Sequence, residues 1–383
     1  MLPDAGSGGR RLAPGKGGRV PTRPPSRSVP RTIDPGSSPG QAPSRSRGSG
    51  WQAPDFWQRD GLLPRLLSPL SVVTAGVTAR RLKRAGWCCP VPVICVGNAT
   101  LGGAGKTTVT VDLSRRLVAR GWGVHVLLRG YGGSARGLHR VELDEPATLV
   151  GDEALLHAAI APTWTCGDRK RGAQAMVAAG AEVVLMDDGL QNPGVRKRLS
   201  LLVVDGASGF GNCRVFPAGP LREPVAAAAR RCEAAVLIGP DATGALAKLP
   251  PGLPVHRARL VAGPEAAALA GRRVLAFAGI AMPEKFFATV AELGAEQVAR
   301  RAFPDHHRYT QAELDDLLAE ADRLGAMPVT TAKDAVRLPP AVRERVHVLT
   351  VSLAWENPDA PEDLLRSVIN TWASEGRSRR SYA

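Results

Sequence analysis

Short apolar runs alternate with helical patterns along the middle of the chain, and this alternation predicts an α/β fold. Between residues 85 and 258, the runs typical of strands are 91–96, 124–128, 181–186, 201–204 and 234–238. Apolar positions at helical spacing lie between several of them, over residues 107–120, 152–160 and 169–179. Successive strands joined by helices predict a mostly parallel sheet with helices on both faces.

The alternation resumes in the last third of the chain and predicts a smaller C-terminal α/β domain over residues 259–383. Its predicted strands are 274–278, 328–331 and 346–351, and its predicted helices are 283–293, 311–324 and 363–372. Three prolines just before it favour a domain boundary there: Pro250, Pro251 and Pro254.

Residues 56–84 form a separate N-terminal element, an apolar helix with a basic end. Leucine and valine dominate residues 62–77, with Pro64 and Pro69 among them, and four cations follow: Arg80, Arg81, Lys83 and Arg84. A membrane-spanning helix needs about 20 largely apolar residues. Two interpretations stay open from the pattern alone: a helix lying on an anionic bilayer, or a docking helix with a solvated end.

Charge is concentrated at the start of the chain. The sequence has 383 residues with 50 Lys and Arg against 35 Asp and Glu, and residues 1–50 hold nine of those cations but two of the acids. The same residues are rich in Gly, Pro and Ser, so we expect a disordered basic tail; a transit peptide and a misplaced start are the alternatives. Aromatic residues are 4%, which disfavours base-stacking nucleic-acid binding.

Cysteine spacing gives little sign of metal or disulfide chemistry. None of the six cysteines forms a C-x-x-C pair, so neither a zinc site nor a disulfide scaffold is expected. A reducing, cytoplasmic compartment fits this usage best.

A glycine-rich segment between a predicted strand and a predicted helix predicts a phosphate-binding loop. Its backbone N–H groups and the helix N-terminus suit anionic oxygens, Lys106 can reach the β- and γ-phosphates, and the Thr107 hydroxyl can hold Mg²⁺. The first glycine of the usual pattern is replaced by Thr100. The predicted nucleotide-binding residues are Thr100, Leu101, Gly102, Gly103, Ala104, Gly105, Lys106, Thr107 and Thr108.

Three acidic constellations are candidates for the rest of a site. Asp187 and Asp188 follow the strand 181–186, where a carboxylate beside a phosphate loop holds Mg²⁺. Asp152-Glu153 begin a predicted helix and are either caps or a general base with its neighbour. Asp305-His306-His307 are either a solvated loop or a proton relay that positions the base.

Taken together, these motifs resemble the tetraacyldisaccharide 4′-kinase (lipid A 4′-kinase) family. The matching stretches occur in the family's order across about residues 56–355, which makes the resemblance specific: 92–107, 129–133, 151–153, 168–169, 187–191, 204–224, 276–287, 303–309 and 331–334. The resemblance implies a P-loop NTPase-like fold class with a membrane-associated N-terminal helix.

The resemblance also implies a reaction and roles for named residues. The reaction is ATP- and Mg²⁺-dependent phosphorylation of the 4′-hydroxyl of a tetraacyldisaccharide 1-phosphate, yielding lipid IVA at the cytoplasmic face of the bacterial inner membrane. We expect a monomer that binds the lipid A precursor and the anionic membrane surface and no nucleic acid. The implied roles are catalytic base for Asp152, its dyad partner for His306, phosphate binding for Lys106, metal binding for Thr107, Asp187, Asp188 and Glu153, and substrate contact for Asp188, Gln191, Arg222 and Glu223.

Three departures from the family pattern fall near these residues. Leu190 and Asn192 stand where the family has Phe and His, Ala332 replaces a Glu, and Thr108 replaces a Pro. We expect the phosphoryl-transfer core to be intact and the acceptor contacts to differ. Two rival functions remain. One is a nucleotide-switched ATPase of the partitioning type, although this chain has Leu101 where such ATPases carry a signature lysine. The other is a charge-driven binder of anionic lipid or nucleic acid.

Overall fold

Two β-sheets with flanking helices make up the part of the chain that the computed structural model describes, residues 54–380. The tail predicted over residues 1–50 lies outside the described residues. Three short 3₁₀ helices accompany the sheets: Asp55–Trp57, Ala245–Lys248 and Pro264–Leu269.

The larger sheet is mostly parallel, as the alternation predicted. Its nine strands are β1 (Val93–Gly97), β2 (Val124–Leu128), β3 (Leu138–Val141), β4 (Thr163–Cys166), β5 (Val183–Asp187), β6 (Leu199–Asp205), β7 (Ala234–Ile238), β8 (Val255–Ala262) and β13 (Val351–Trp355). Their spatial order is β13-β8-β7-β6-β1-β5-β2-β4-β3, and β3 and β13 pair antiparallel with their neighbours.

Helices cover both faces of this sheet because its central strands are apolar on both sides. In β1, Val93 and Cys95 join one buried cluster, whereas Ile94 and Val96 join the other. The helices associated with the larger sheet are α2 (Lys106–Ala119), α3 (Ala147–Val150), α4 (Asp152–Ala158), α5 (Arg169–Ala178), α6 (Val225–Ala229) and α11 (Ala360–Arg380).

The smaller sheet consists of β9 (Arg273–Ala278), β10 (Glu296–Ala302), β11 (Met327–Thr331) and β12 (His347–Leu349). It is fully parallel and has the order β10-β9-β11-β12. The helices α7 (Pro283–Glu292), α8 (Gln311–Leu324), α9 (Ala332–Ala335) and α10 (Pro340–Arg343) accompany it. Phe287 on α7 and Leu314 on α8 belong to separate buried clusters, so this sheet is also covered on both faces.

The C-terminal part of the chain differs from the predicted arrangement. The strand predicted at residues 346–351 is two strands in different sheets, because β12 ends at Leu349 and β13 begins at Val351. β13 pairs with β8, and α11 packs on the larger sheet beside α2. The smaller α/β unit therefore ends near residue 349, and the boundary predicted between residues 258 and 259 falls inside β8.

The N-terminal helix α1 (Leu62–Leu82) places its large apolar side chains outward. Among the described residues, it is the one helix long and apolar enough to cross a membrane, judged by length and composition alone. Pro69 lies inside the helix. The exposed residues are Leu62, Leu63, Leu66, Leu70, Val72, Val73 and Val77.

Two neighbouring residues of α2 test how this helix packs on the larger sheet. Leu117 is fully buried, whereas Val118 is 41% exposed. Leu117→Ala leaves a cavity, so we expect it to lower the free energy of unfolding by about 2–5 kcal/mol. Val118→Ala should change it by about 0.5 kcal/mol or less. Equilibrium urea titration measures both, and equal losses would contradict this packing.

Candidate active site

The loop between β1 and α2 has the geometry of a phosphate-binding loop. Gly102 and Gly105 adopt φ values of 118° and 82°, which glycine accepts at little cost. Leu101 N donates to Pro220 O at 2.7 Å, which fixes the loop against the segment before Arg222. Lys106 opens α2, so the loop ends at a free helix N-terminus. This arrangement suits an anion.

Lys106 and Arg222 converge on Asp188 at the mouth of this loop. Lys106 Nζ lies 3.7 Å from Asp188 Oδ1 and 3.4 Å from Gly102 O. Arg222 Nη1 donates to both Asp188 oxygens, at 2.8 and 2.9 Å. Burial raises the pKa of Asp188, but the charges of Lys106 and Arg222 outweigh burial and lower it. The structure therefore brings these three predicted residues together.

Glu153 connects the phosphate loop to α9, which accompanies the smaller sheet. Thr107 Oγ1 donates to Glu153 Oε1 at 3.2 Å, and Lys333 Nζ donates to the same oxygen at 2.8 Å. Burial raises the pKa of Glu153, but the Lys333 ammonium outweighs it and holds the pKa below its usual value. Thr107 and Glu153, both predicted metal ligands, are thus in direct contact.

Asp152 and His306 form the predicted pair, although 154 residues separate them. His306 Nδ1 lies 3.0 Å from Asp152 Oδ2, and Arg337 Nη2 donates to the same oxygen at 2.5 Å. Asp152 is buried, with a side chain 3% exposed against 29% for His306. Burial raises the pKa of Asp152, but the His306 hydrogen bond and the Arg337 charge hold it well below its usual range. The bond to Asp152 in turn raises the pKa of His306.

Unusual backbone conformations place three of these groups. Gly151, with φ 91°, turns the chain into α4 so that Asp152 begins the helix. His306 adopts φ 57° and Asp188 adopts φ 54°, a region that His and Asp occupy more often than most residues. Such conformations concentrate at functional sites, where the surrounding structure maintains them.

Asp187 pairs with a histidine that the sequence did not indicate. Its Oδ2 lies 2.9 Å from His157 Nε2, and both side chains are buried. Its Oδ1 is also buried and has no hydrogen-bond partner among the described residues. Within residues 54–380, no group of three or more His, Cys, Asp or Glu side chains is placed to hold a metal ion by itself.

Gln191 bonds Arg222 and is itself bonded to Glu223. Gln191 Nε2 donates to Glu223 Oε1 at 3.0 Å, and Gln191 Oε1 accepts from Arg222 Nη1 at 3.3 Å. Glu223 is 3% exposed in its side chain and also accepts from Arg231 Nη2 at 2.6 Å. The predicted substrate residues therefore form one network, in which Asp188 and Arg222 are partly exposed and Glu223 is buried.

The departures from the family pattern have local structural roles. Leu190 is buried, and its Cβ would lie 2.5 Å from a Cβ added at Gly97, so it packs on the end of β1. Asn192 Oδ1 accepts from Gly194 N at 2.8 Å and shapes a turn. Ala332 is the first residue of α9, next to Lys333.

Four site residues were missing from the sequence-based set. Lys333 lies in the 331–334 stretch that carries the resemblance, which was the available signal for it. His157, Arg231 and Arg337 had no motif to mark them. Their partners are 30, 8 and 185 residues away in the sequence, so only the fold brings them to the site.

Comparison with known proteins identifies one family. The family model for tetraacyldisaccharide-1-P 4′-kinase (LpxK) matches residues 63–370. The tetraacyldisaccharide 4′-kinase of Gluconacetobacter diazotrophicus is 56% identical over 316 residues, which cover 82% of this chain and 97% of that protein. The protein of the same name from Rhodospirillum centenum is 52% identical over 332 residues, covering 86% and 98%.

A solved structure shares the fold. The crystal structure of LpxK from Aquifex aeolicus, titled as an "apo" form in complex with ATP, matches with a TM-score of 0.65 and 24% sequence identity. The match covers 80% of this chain and 99% of that one.

Removing the carboxylate from the Asp152–His306 pair should change how His306 titrates. Asp152→Asn abolishes the negative charge that stabilises the imidazolium and leaves Arg337 to destabilise it, so we expect the pKa of His306 to fall. Proton NMR titration of the histidine rings measures this shift. His256, whose pKa burial lowers, is the internal control and should not move. An unchanged His306 pKa would contradict the pairing.

Proposed function

The chain belongs to the tetraacyldisaccharide-1-P 4′-kinase family, and from this premise we propose that it transfers the γ-phosphoryl group of ATP to the 4′-hydroxyl of a tetraacyldisaccharide 1-phosphate. The product is the bisphosphorylated lipid, lipid IVA. The observation that carries the proposal is the contact of His306 with the buried Asp152, which is one residue from a Glu153 that contacts Thr107 at the end of the phosphate loop.

The nucleotide's phosphates would lie on the loop that ends at α2. Backbone N–H groups of the loop and the helix N-terminus favour the β- and γ-phosphate oxygens. Lys106 is held near the loop by Gly102 and Asp188, so it is already in position before the nucleotide arrives. Arg222, on the same carboxylate, adds a second positive charge. Fixed cations of this kind stabilise the charge that spreads over a transferring phosphoryl group.

In the reaction, the acceptor oxygen forms a new bond to the γ-phosphorus. The bond from that phosphorus to the β–γ bridging oxygen breaks, and ADP leaves with the electron pair. The proton of the acceptor hydroxyl passes to the Asp152–His306 pair. The sequence-based assignment makes Asp152 the base, and the Asp152 contact fixes the orientation of the more exposed His306 ring. Positioning supplies most of the catalysis in such transfers.

The residues present fit a Mg²⁺ ion that arrives with the nucleotide. Thr107 and Glu153 offer adjacent oxygens, and the orphaned Asp187 Oδ1 is a carboxylate oxygen without a described partner. Mg²⁺ in kinases is usually held by one or two carboxylates and by substrate phosphates, which matches so sparse a protein set. When bound, the ion neutralises charge on the β- and γ-oxygens. Asp188 completes the proposed set, although it pairs with Arg222 here.

The acceptor sugar would meet Asp188 and Arg222. Both are partly exposed, and Gln191, which is bonded to the buried Glu223, restricts the orientation of Arg222. Asn192 is committed to its turn, so we infer that acceptor contacts on this side come from Asp188 and Arg222, which Gln191 and Glu223 support.

We infer further that α1 lies along the membrane rather than across it. One face of the helix is fastened to the body at mid-length: Ser71 Oγ donates to Val215 O at 2.6 Å and accepts from Ala218 N at 3.2 Å. Arg214 Nη1 donates to Ser68 Oγ one turn earlier. A helix crossing a bilayer would have lipid, not these loops, at its centre.

The opposite face of α1 carries the membrane contact in this proposal. Its leucines and valines point outward, with Leu62 80% and Leu66 76% exposed. Arg80 and Arg81 end the helix, and Lys83 and Arg84 follow, where anionic headgroups would attract them. A tetraacylated substrate keeps its chains in the bilayer, so an enzyme held at the cytoplasmic face can reach the sugar and cellular ATP together.

The decisive test is transfer of labelled γ-phosphate from ATP to a tetraacyldisaccharide 1-phosphate in detergent micelles. We expect a Mg²⁺-dependent bisphosphorylated lipid, a kcat about 10²–10⁴-fold lower in Asp152→Ala and a severe loss of nucleotide use in Lys106→Ala. Lys248→Ala, an exposed lysine, is the matched control and should keep wild-type turnover. ATP-dependent dimerisation with slow hydrolysis and no transfer would instead favour a nucleotide-switched ATPase.

Charge placed on the exposed face of α1 should release the protein from membranes. We expect Leu66→Asp with Val73→Asp to abolish flotation with vesicles containing anionic lipid, because burying a carboxylate at the interface is costly. Both positions point away from the body, so the melting temperature should hold. Val118→Asp, an exposed position on α2, controls for added charge. Undiminished flotation would contradict this orientation of α1.

A further inference from the structure

Arg337 reaches Asp152 from the smaller α/β unit, and the proposed mechanism gives this arginine no part. It follows α9, two residues after that helix ends, and its side chain is 6% exposed. Nη2 donates to Asp152 Oδ2, and Nη1 donates to Gly279 O at 2.8 Å and to Asp334 Oδ1 at 3.0 Å. The guanidinium therefore joins a carboxylate at the start of α4 to the carboxyl end of β9.

Asp334 fixes the guanidinium from the other side. Asp334 is fully buried, and its Oδ1 also accepts from Tyr309 OH at 2.8 Å and from Gly279 N at 2.9 Å. Its Oδ2 accepts from Thr331 Oγ1 at 2.6 Å. A planar guanidinium held on two carboxylates and one carbonyl has little freedom to rotate. Arg337 thus presents Nη2 in one direction.

The Asp152 carboxylate is oriented by three donors, and Arg337 is the only one of them that carries a permanent charge. Oδ2 meets both His306 Nδ1 and Arg337 Nη2, while Oδ1 accepts from Glu153 N at 3.0 Å. Without Arg337, the carboxylate would keep one backbone donor and a histidine that is charged only when protonated. Rotation about the Cβ–Cγ bond would then move Oδ2 away from His306.

We propose that Arg337 is a positioning residue for phosphoryl transfer, which directs Asp152 Oδ2 at His306 Nδ1 and so orients the proton-accepting pair towards the acceptor hydroxyl. This inference rests on the proposed function. Arg337 touches neither the phosphate loop nor the Asp188 network in the described structure, so its removal should alter the chemical step and leave nucleotide binding largely intact.

The groups around His306 show which contact sets the orientation of its ring. Asp152, Asp305 and Arg337 are the charged groups that face the ring, and Tyr131 packs edge-on against it with 5.6 Å between the ring centroids. Asp305 Oδ2 lies 3.7 Å from His306 Nε2, beyond hydrogen-bond distance. The Asp152 contact, which Arg337 supports, is therefore the short polar contact that sets the orientation of the ring.

Steady-state kinetics of Arg337→Ala with the labelled-phosphate assay tests the proposal. We expect kcat to fall about 10²-fold, the size of effect that small misplacements of catalytic groups produce, while KM for ATP changes by about twofold or less. Arg337→Lys should recover part of kcat, because it restores the charge without the two-armed geometry. Arg345→Ala, an exposed arginine paired with Asp322, is the matched control and should retain full kcat.

Chemical rescue distinguishes positioning from a merely structural link between the sheets. Millimolar guanidinium chloride should restore part of the kcat of Arg337→Ala and none of that of Asp152→Ala, and urea or sodium chloride at the same concentration should restore neither. A wild-type kcat in folded Arg337→Ala, or a loss confined to KM for ATP, would overturn the proposal. If that variant does not fold, Arg337→Gln carries the same test. Failure of the proposed function would appear separately, as absence of transfer by the wild-type protein.

Discussion

The buried charge of Asp152 is the constraint on which the site depends. An ionised carboxylate away from water is stable only with charged or hydrogen-bonding partners around it. Its own helix supplies one backbone donor, and segments of the smaller α/β unit supply His306 and Arg337. These segments must therefore pack against the start of α4 for the charged carboxylate to be buried. The neighbouring Glu153–Lys333 contact repeats the same arrangement one residue later.

In the function we propose, paired charges also prepare the phosphate site before a nucleotide binds. Lys106 and Arg222 lie on Asp188, and Lys333 lies on Glu153. The Asp188 carboxylate keeps Lys106 and Arg222 near the proposed phosphate position, so little reorganisation is needed when phosphate oxygens arrive. Preorganised charge of this kind is the main resource an enzyme brings to phosphoryl transfer, in which the protein does little covalent chemistry.

The N-terminal helix inverts the usual pattern of a surface helix. Ser68 and Ser71 face the body, where their hydroxyls bond loop atoms, while leucines and valines face outward. In water this arrangement exposes a large apolar stripe, which marks an interaction surface. A lipid surface meets the requirement, and Arg81 links the end of the helix to Gln191 O at the substrate network. In the function we propose, one helix therefore joins membrane contact to substrate recognition.

Sequence patterns predicted the α/β class, the parallel order of strands and helices around the phosphate loop, and the motif residues of the candidate site. These features depend on periodicity and on residues adjacent in the chain, which a local pattern records. Strands β8 and β10 escaped prediction because most of their residues are exposed or half-buried, so neither strand forms an apolar run. The return of β13 to the larger sheet and the contact of Arg337 with Asp152, 185 residues away, could be seen only in the folded chain. Such pairings are set by how the two sheets and their flanking segments pack, and no spacing along the chain encodes that distance.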